Sequence, residues 1–313
     1  MNKATEHWST RVVALPTESS MKAGFVALVG RPNVGKSTLL NHLLGQKISI
    51  TSRRPQTTRH RIHGIRTTEA GQAVFVDTPG IHASEKRAMN RYLNKTAGSA
   101  LADVDLIVWV IDRAGWLPED DLVLQRIRTS GQPVILAINK VDRMEDRDQL
   151  LPFLSQAAAD HPFAALMPVS ALKGTNLAML DKAIMDHLPE GELIFPEDQI
   201  TDRSMRFMAA EMIREKLLRS LGQEVPHALT VEIEQFKQEN GLTRISALIW
   251  VERQGQKAIV IGKKGDVLKK VGERARLDLE RMLEGKVFLQ LWVKVKEGWS
   301  DDERALRSLG YSD

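Results

Sequence analysis

The feature that most constrains this chain is a glycine-rich turn wedged between a short apolar run and a helical pattern. Gly24 to Val29 reads as a buried strand and Leu39 to Leu44 as a helix, with Gly30, Arg31, Pro32, Asn33, Val34, Gly35, Lys36, Ser37 and Thr38 between them. The spacing GxxxxGKS is a P-loop: its glycines let backbone N–H groups wrap around phosphates, and the next helix aims its positive end at the same anion. Lys36 adds a point charge for the β- and γ-phosphates, and the Ser37 hydroxyl is suited to Mg²⁺. Everything downstream is therefore read as answering a nucleotide.

From this loop onward strand and helix signals alternate, which predicts an α/β fold with a mostly parallel sheet. Ile62 to Thr68 and Gln72 to Val76 are joined only by Glu69, Ala70 and Gly71, so that pair is antiparallel. Leu106 to Ile111, Val134 to Ile138 and Ala165 to Val169 read as parallel strands, separated by helical stretches such as Leu122 to Ile127. Ligands of such sheets bind beyond the carboxyl ends of the strands, and three of those ends carry chemistry. Asp77, Thr78, Pro79 and Gly80 follow one strand; Asp77 holds Mg²⁺, usually through water, and the Gly80 N–H approaches a γ-phosphate. Asn139, Lys140, Val141 and Asp142 follow another, and the Asp142 carboxylate can accept from the N1 and 2-amino groups of guanine, donors that adenine lacks there. Ser170, Ala171 and Leu172 follow the last, where backbone N–H groups reach for the guanine O6 or simply form an ordinary turn.

At 313 residues, 42% of them hydrophobic, the chain is long enough for two domains with a core each. Residues 21–188 form the nucleotide domain, and residues 189–202, with Pro189, Gly191 and Pro196, break the periodicity and read as a linker. Residues 203–313 form a second domain, and the polar leader 1–20 reads as flexible. The chain has no cysteine, so disulfides and thiolate metal sites are excluded. No apolar run approaches the roughly 20 residues that span a bilayer, and the leader lacks a signal-peptide core. The histidines near the loops, His42, His60, His63 and His82, show no metal-ligand spacing, and phosphoryl transfer asks for positioned charge more than for a strong base.

In the second domain Ala209, Ile213, Leu217 and Leu221 mark one helix face, and two alternating strands follow, Leu229 to Glu234 and Ile245 to Val251. A helical pair and a last strand, Val287 to Val295, complete the order. Between the paired helices lie Ile261, Gly262, Lys263, Lys264 and Gly265, with Lys269 and Lys270 just beyond. A GxxG loop between helices is the signature of KH domains, which clamp about four nucleotides of single-stranded nucleic acid, and the element order is that of type II. The net charge of +4 gathers where it suits that reading, since cations crowd the stretch from Arg253 to Arg276.

The order P-loop, DTPG, NKVD and SAL resembles the translation-factor class of GTPases. In that class Gln56, Thr57, Thr58, Arg59 and His60 fall in the first switch, which supplies a threonine hydroxyl to Mg²⁺; Thr57 is favoured and Thr58 stays open. Ile81 stands where Ras-like proteins carry a water-positioning Gln, which implies slow or differently organised hydrolysis. In related GTPases with such a hydrophobic residue, an Asn matching Asn33 holds K⁺ near the transferring phosphoryl group. With the type II KH domain added, the chain from about Met21 onward resembles the Era GTPases, through GRPNVGKS, QTTRHRI, DTPG, NKVD, the run Gly262 to Arg276 and the strand ending VKVK before Trp299. That resemblance implies a GTPase that binds 16S ribosomal RNA near its 3′ end and assists small-subunit assembly; a monomer is expected, and the lack of cysteine fits a cytoplasmic enzyme. Some members also associate peripherally with the inner membrane. The leader departs from the family's short N-terminus and inherits no function. The alternative is a signalling GTPase whose basic domain meets a protein or a membrane surface.

Overall fold

The computed structural model describes residues 21–311 except 53, 55, 81–86, 114–115, 145–151, 153, 156, 158, 160, 223–224 and 226–228. The expectations for the leader, Ile81 and His82 lie outside the described residues. In chain order the first half runs β1 (Lys22–Val29), α1 (Lys36–Leu44), β2 (Ile62–Thr68), β3 (Gly71–Asp77), α2 (Ala88–Ser99), β4 (Leu106–Asp112), α3 (Pro118–Ser130), β5 (Val134–Asn139), β6 (Ala165–Pro168) and α4 (Leu177–His187). The strands form one sheet in the order β2-β3-β1-β4-β5-β6, parallel throughout except where β2 pairs antiparallel with β3.

The apolar strands are continuous runs because both faces of the sheet are covered. Alternate residues divide between two cores. Val26, Leu28, Val108 and Val110 pack with Leu39 and Leu40 of α1 and Leu180 and Ile184 of α4. Ala27, Val29, Ile107 and Trp109 pack with Ala97 of α2 and Val123 and Ile127 of α3.

The second half runs α5 (Met205–Ser220), β7 (Leu229–Glu239), β8 (Leu242–Val251), α6 (Gln254–Ile261), α7 (Asp266–Met282), β9 (Lys286–Val295) and the short α8 (Glu303–Ser308). Its sheet has the order β7-β8-β9, antiparallel then parallel. The stripe expected on the first helix is its core face: Ala209, Ile213 and Leu217 pack on Ile245, Ala247 and Ile249 together with Val271, Ala275 and Leu279 of α7. Strands β7 and β8 extend further toward each other than their apolar alternation indicates. They meet at Asn240 and Gly241, both left-handed at φ 50° and 76°, the two-residue hairpin turn that an Asn-Gly pair favours.

Two features depart from the simple division into domains. Residues 189–202 are strapped along the first sheet: Ala23 N donates to Pro189 O at 3.0 Å and Ile65 N to Ile200 O at 2.9 Å, while Gln72 Oε1 accepts from Ile194 N and Phe195 N at 2.9 Å. The end of the chain follows β9 but buries Trp299, Ala305, Leu306 and Tyr311 on Ala88, Met89 and Leu93 of α2. The last described residues of the expected 203–313 domain thus pack on α2 of the first half of the chain.

Candidate functional site

A cleft of about 850 Å³ opens at the carboxyl end of β1, where the strand order reverses between β3 and β4. That reversal leaves a crevice beyond the strand ends. Lys36, Ser37, Thr58 and Gly80 line it from the first domain, and Leu218 and Arg219 reach it from around the end of α5.

The loop glycines are dictated by close approach. A Cβ on Gly30, at φ 145°, would sit 2.2 Å from Val110 O, and one on Gly35, at φ 108°, would sit 2.3 Å from Asn139 Nδ2. Gly80 carries the next loop against Pro32, whose Cγ lies 2.8 Å from where its Cβ would be, and Thr78 Oγ1 donates to Leu28 O at 2.9 Å. Lys36 is 6% exposed and donates to Gly30 O at 2.8 Å and Arg31 O at 3.1 Å. Burial lowers its pKa from 10.5 to about 8, and a phosphate beside it would favour the charged form that desolvation disfavours. The Arg31 side chain faces away from the cleft, donating to Asp112 at 2.6 Å and Asp120 at 3.1 Å; it pins the loop to β4 and α3.

Three oxygens gather beside Lys36. Ser37 Oγ donates to Asp77 Oδ2 at 3.0 Å, and Thr58 Oγ1 lies 3.0 Å from Ser37 Oγ and 3.3 Å from the same carboxylate oxygen. Ser49, which the sequence reading did not single out, donates to Asp77 Oδ2 at 2.6 Å. The other oxygen, Asp77 Oδ1, is buried with no hydrogen-bond partner among the described residues. Burial raises the Asp77 carboxyl above its usual range, against the hydrogen bonds from Ser49, Ser37 and Thr58 and the charge of Lys36. An all-oxygen set with one orphaned carboxylate atom fits a hard divalent cation. Of the two threonines left open as ligands, the favoured Thr57 donates its Oγ1 to Arg54 O at 2.6 Å, away from these oxygens, while Thr58 faces them. Adjacent residues outside a helix turn their side chains to different sides, and two consecutive threonines leave the choice to tertiary packing.

At the other pole Asn139 ties three loops together. Its Nδ2 donates to Val34 O at 2.8 Å, and its Oδ1 accepts from Lys140 N at 2.8 Å and Ala171 N at 2.9 Å. Lys140 Nζ donates to Asn33 O at 2.6 Å, and Ser170 Oγ to Asp142 Oδ1 at 2.6 Å. Asp142 stands in the short turn Val141–Arg143 with its side chain 14% exposed. Leu172 is exposed.

The polar face of α5, which no local pattern marks as buried, grips the segment from Lys47 to Thr57. Glu215 is fully buried and accepts from Thr51 N at 2.9 Å and from Lys47 Nζ at 2.5 Å. Arg214 pairs with Glu211 and donates to Thr57 O. Arg59 is 1% exposed and donates to Leu229 O at 2.8 Å and to the Tyr311 hydroxyl at 3.2 Å. Gln56 Nε2 donates to Asn90 of α2 at 2.8 Å. His60 stacks on Tyr311 at 4.7 Å and meets Phe207 edge-on at 5.3 Å. Burial lowers its pKa to about 4, so it is a neutral packing ring.

The second glycine loop lies between α6 and α7. Gly262 (φ 76°) has no room for a side chain, since a Cβ would sit 2.3 Å from Asp266 Oδ1 and 2.4 Å from Val267 Cγ2. Gly265 (φ 81°) faces open space. Lys263, Lys264, Lys269 and Lys270 are exposed around the N-terminus of the 17-residue α7, whose dipole adds to their charge, and Ile261 is half-buried beneath them.

Residues 25–140 match the family described as 50S ribosome-binding GTPase, and residues 224–300 match the KH domain family. The chain is 58% identical over 295 residues to the GTPase Era of Pseudomonas savastanoi pv. phaseolicola, covering 94% of this chain and 98% of that protein. It is 58% identical over 292 residues to the GTPase Era of Pseudomonas aeruginosa, covering 93% and 96%. The chain belongs to the Era family of GTPases. An Era variant from Aquifex aeolicus, crystallised with GDP and AlF4⁻, has the same fold at a TM-score of 0.91 and 42% identity, covering 94% of this chain and 100% of that one. A crystal structure of Era with MgGDPNP and nucleotides 1506–1542 of 16S ribosomal RNA matches with the same score, identity and coverage. As a member of this family the protein is a GTPase, with a mostly parallel P-loop domain followed by a smaller α+β KH domain.

Proposed function

We propose that the protein is a GTP-hydrolysing switch that binds 16S ribosomal RNA near its 3′ end and assists assembly of the small ribosomal subunit. The observation that carries this reading is that the relative crystallised with MgGDPNP and nucleotides 1506–1542 of 16S ribosomal RNA is 42% identical over 94% of this chain. This chain has both glycine loops such a complex needs, each with a glycine where a Cβ would collide.

In this reading Gly30 to Thr38 cradle the phosphates with backbone N–H groups and Lys36. Ser37 and Thr58 hold Mg²⁺ directly and Asp77 through water; when bound, the ion supplies charge stabilisation at the β- and γ-oxygens. Asp77 to Gly80 respond to the γ-phosphate. Asn139 to Asp142 and Ser170 to Leu172 select guanine, because a desolvated carboxylate at Asp142 is left without donors by adenine. Ile261 to Gly265, Lys269 and Lys270 hold the RNA. Asn33, exposed at the mouth of the cleft, is assigned to K⁺, which adds positive charge near the transferring phosphoryl group. Replacing K⁺ by Na⁺ at constant ionic strength then lowers turnover, and Asn33→Ala erases the difference; equal turnover in both cations overturns the assignment. The protein acts as a monomer in the cytoplasm, meeting the inner membrane at most peripherally; among the described residues no helix is long and apolar enough to cross a membrane.

The deciding experiment is RNA crosslinking in cells followed by sequencing, with the parent and with Lys36→Ala. Enrichment of the 3′ end of 16S RNA that depends on nucleotide binding supports the reading. Enrichment of large-subunit RNA, or no RNA at all, overturns it.

A further inference from the structure

The sheet of the KH domain has one face covered by α5, α6 and α7 and another whose side chains the nucleotide and GxxG sites do not use. Among the described residues the exposed large hydrophobics include two aromatics, Phe288 (43% exposed) and Trp292 (44%). Both lie on β9, the edge strand, four residues apart, so both point to the uncovered face, at a spacing of about 13 Å. In register beside them on β8 are Arg244, opposite Phe288, and Trp250, opposite Lys294. Arg244 lies over the Phe288 ring at 5.4 Å, and Lys294 and Lys296 each lie 5.9 Å from the Trp250 ring.

Exposed aromatic rings on a sheet normally cost solubility, and natural edge strands are blunted to avoid pairing. Here Phe288 and Trp250 each stand beside a cation at the same register, and Trp292 lies between those two pairs, opposite Leu248. That combination is how sheet-based single-strand binders work: bases stack on aromatic faces while Lys and Arg neutralise the flanking phosphates. A protein partner with a matching apolar patch would find the surrounding lysines and arginine to be desolvation costs, whereas a polyanion finds them complementary. Of the acids on this face, Glu232 already accepts from Trp250 Nε1 at 2.8 Å, which fixes that ring's orientation.

We propose that the outer face of the KH sheet is a second contact site for single-stranded RNA, with Trp292 and Phe288 as base-stacking platforms and Arg244 and Lys294 as phosphate contacts. This goes beyond the reading in which RNA is held at Gly262 to Gly265, and a strand long enough to reach both would engage the loop and the sheet face together. The face is suited to bases that are unpaired, because a base held in a duplex offers no free π-face.

The test is a length series of single-stranded RNAs, from a fragment of about four nucleotides that fills a GxxG loop to a strand several times longer, titrated against the full-length parent, Trp292→Ala, Phe288→Ala and Gly262→Asp. Loss of a stacked base amounts to about five- to 150-fold, so Trp292→Ala should weaken the long RNA by that factor and leave the short one unchanged. Annealing a complement to the extension should cancel the parent's gain from length. Trp292→Phe should recover most of the affinity, because it restores a ring. Gly262→Asp should weaken both RNAs; if it weakens neither, the loop assignment fails while the sheet assignment is still judged by the length series. Equal loss of short and long RNA in Trp292→Ala overturns the proposal, as does unchanged affinity for both. Unchanged RNA affinity with lost association to ribosomal particles would instead assign the face to a protein.

Discussion

The two glycine loops of this protein are both read as phosphate-binding turns at a helix N-terminus, yet they are built under opposite constraints. Gly30 to Lys36 is enclosed: Gly30 faces a backbone carbonyl, Gly35 faces Asn139, and Lys36 is nearly buried. Gly262 to Gly265 is open on one side, with only Gly262 crowded and both lysines in solvent. The first loop is locked by hydrogen bonds from other strand ends and is preorganised for one anion. The second is shaped mainly by the start of its own helix and can admit a strand that passes over it. Enclosure makes individual contacts strong because desolvated charges interact in a low dielectric; openness makes them weak, numerous and salt-dependent.

That contrast sets the expected order of effects. Gly30→Ala should be the most severe, since its Cβ would lie 2.2 Å from Val110 O at a backbone angle that L-residues rarely adopt. Nucleotide binding should be lost in titration, with stability reduced by about 2–4 kcal/mol in denaturant unfolding. A variant that still binds GTP would show the loop to be less enclosed than its contacts indicate. Asp142→Asn should come next, weakening guanine nucleotides about a hundredfold while improving xanthosine triphosphate, whose 2-oxo group replaces the amino donor. Equal affinity of the parent for ATP and GTP would refute the base assignment.

At the open loop the effects should be smaller and confined to RNA. Gly262→Asp combines a clash with Asp266 and Val267 with an added negative charge, so RNA affinity should drop more than with Lys263→Glu and Lys264→Glu together. Each lost phosphate contact removes roughly 0.7 from the single-strand salt slope, so the lysine variant should flatten log affinity against log salt. GTP affinity without RNA should not change in either case. Gly265→Ala should be the mildest: nothing lies within 4 Å of the new methyl, and only the left-handed backbone, about 1 kcal/mol, stands against it. A Gly265→Ala protein as impaired in RNA binding as Gly262→Asp would mean that the loop is as tightly enclosed in use as the nucleotide loop.

The interface between the regions explains why they can act together. One face of α5 holds the KH core through Ala209, Ile213 and Leu217, and its polar face holds Thr57 O through Arg214 and Thr51 N through Glu215. Tyr311 reaches back to His60 and Arg59 from the far end of the chain. A switch segment fixed in this way can respond to nucleotide only if α5 and the C-terminal turn respond with it.

What the sequence by itself determined are the features whose geometry permits few residues. The P-loop and the GxxG turn need glycine where a Cβ would strike neighbouring atoms, and strands buried on both faces need unbroken apolar runs. Asn240-Gly241 was equally legible as a hairpin signal, and it marks the true extent of β7 and β8 better than their alternation does. What only the tertiary structure decided are contacts between residues far apart in the chain. Charged residues on α5 look like a solvated face until the switch covers them, Thr57 and Thr58 are chemically alike until one is turned toward Asp77, and the tail after Gly298 has no visible destination until α2 offers its apolar side. Periodicity tells which side of an element is apolar; the surface that will cover its other side is specified by the rest of the fold.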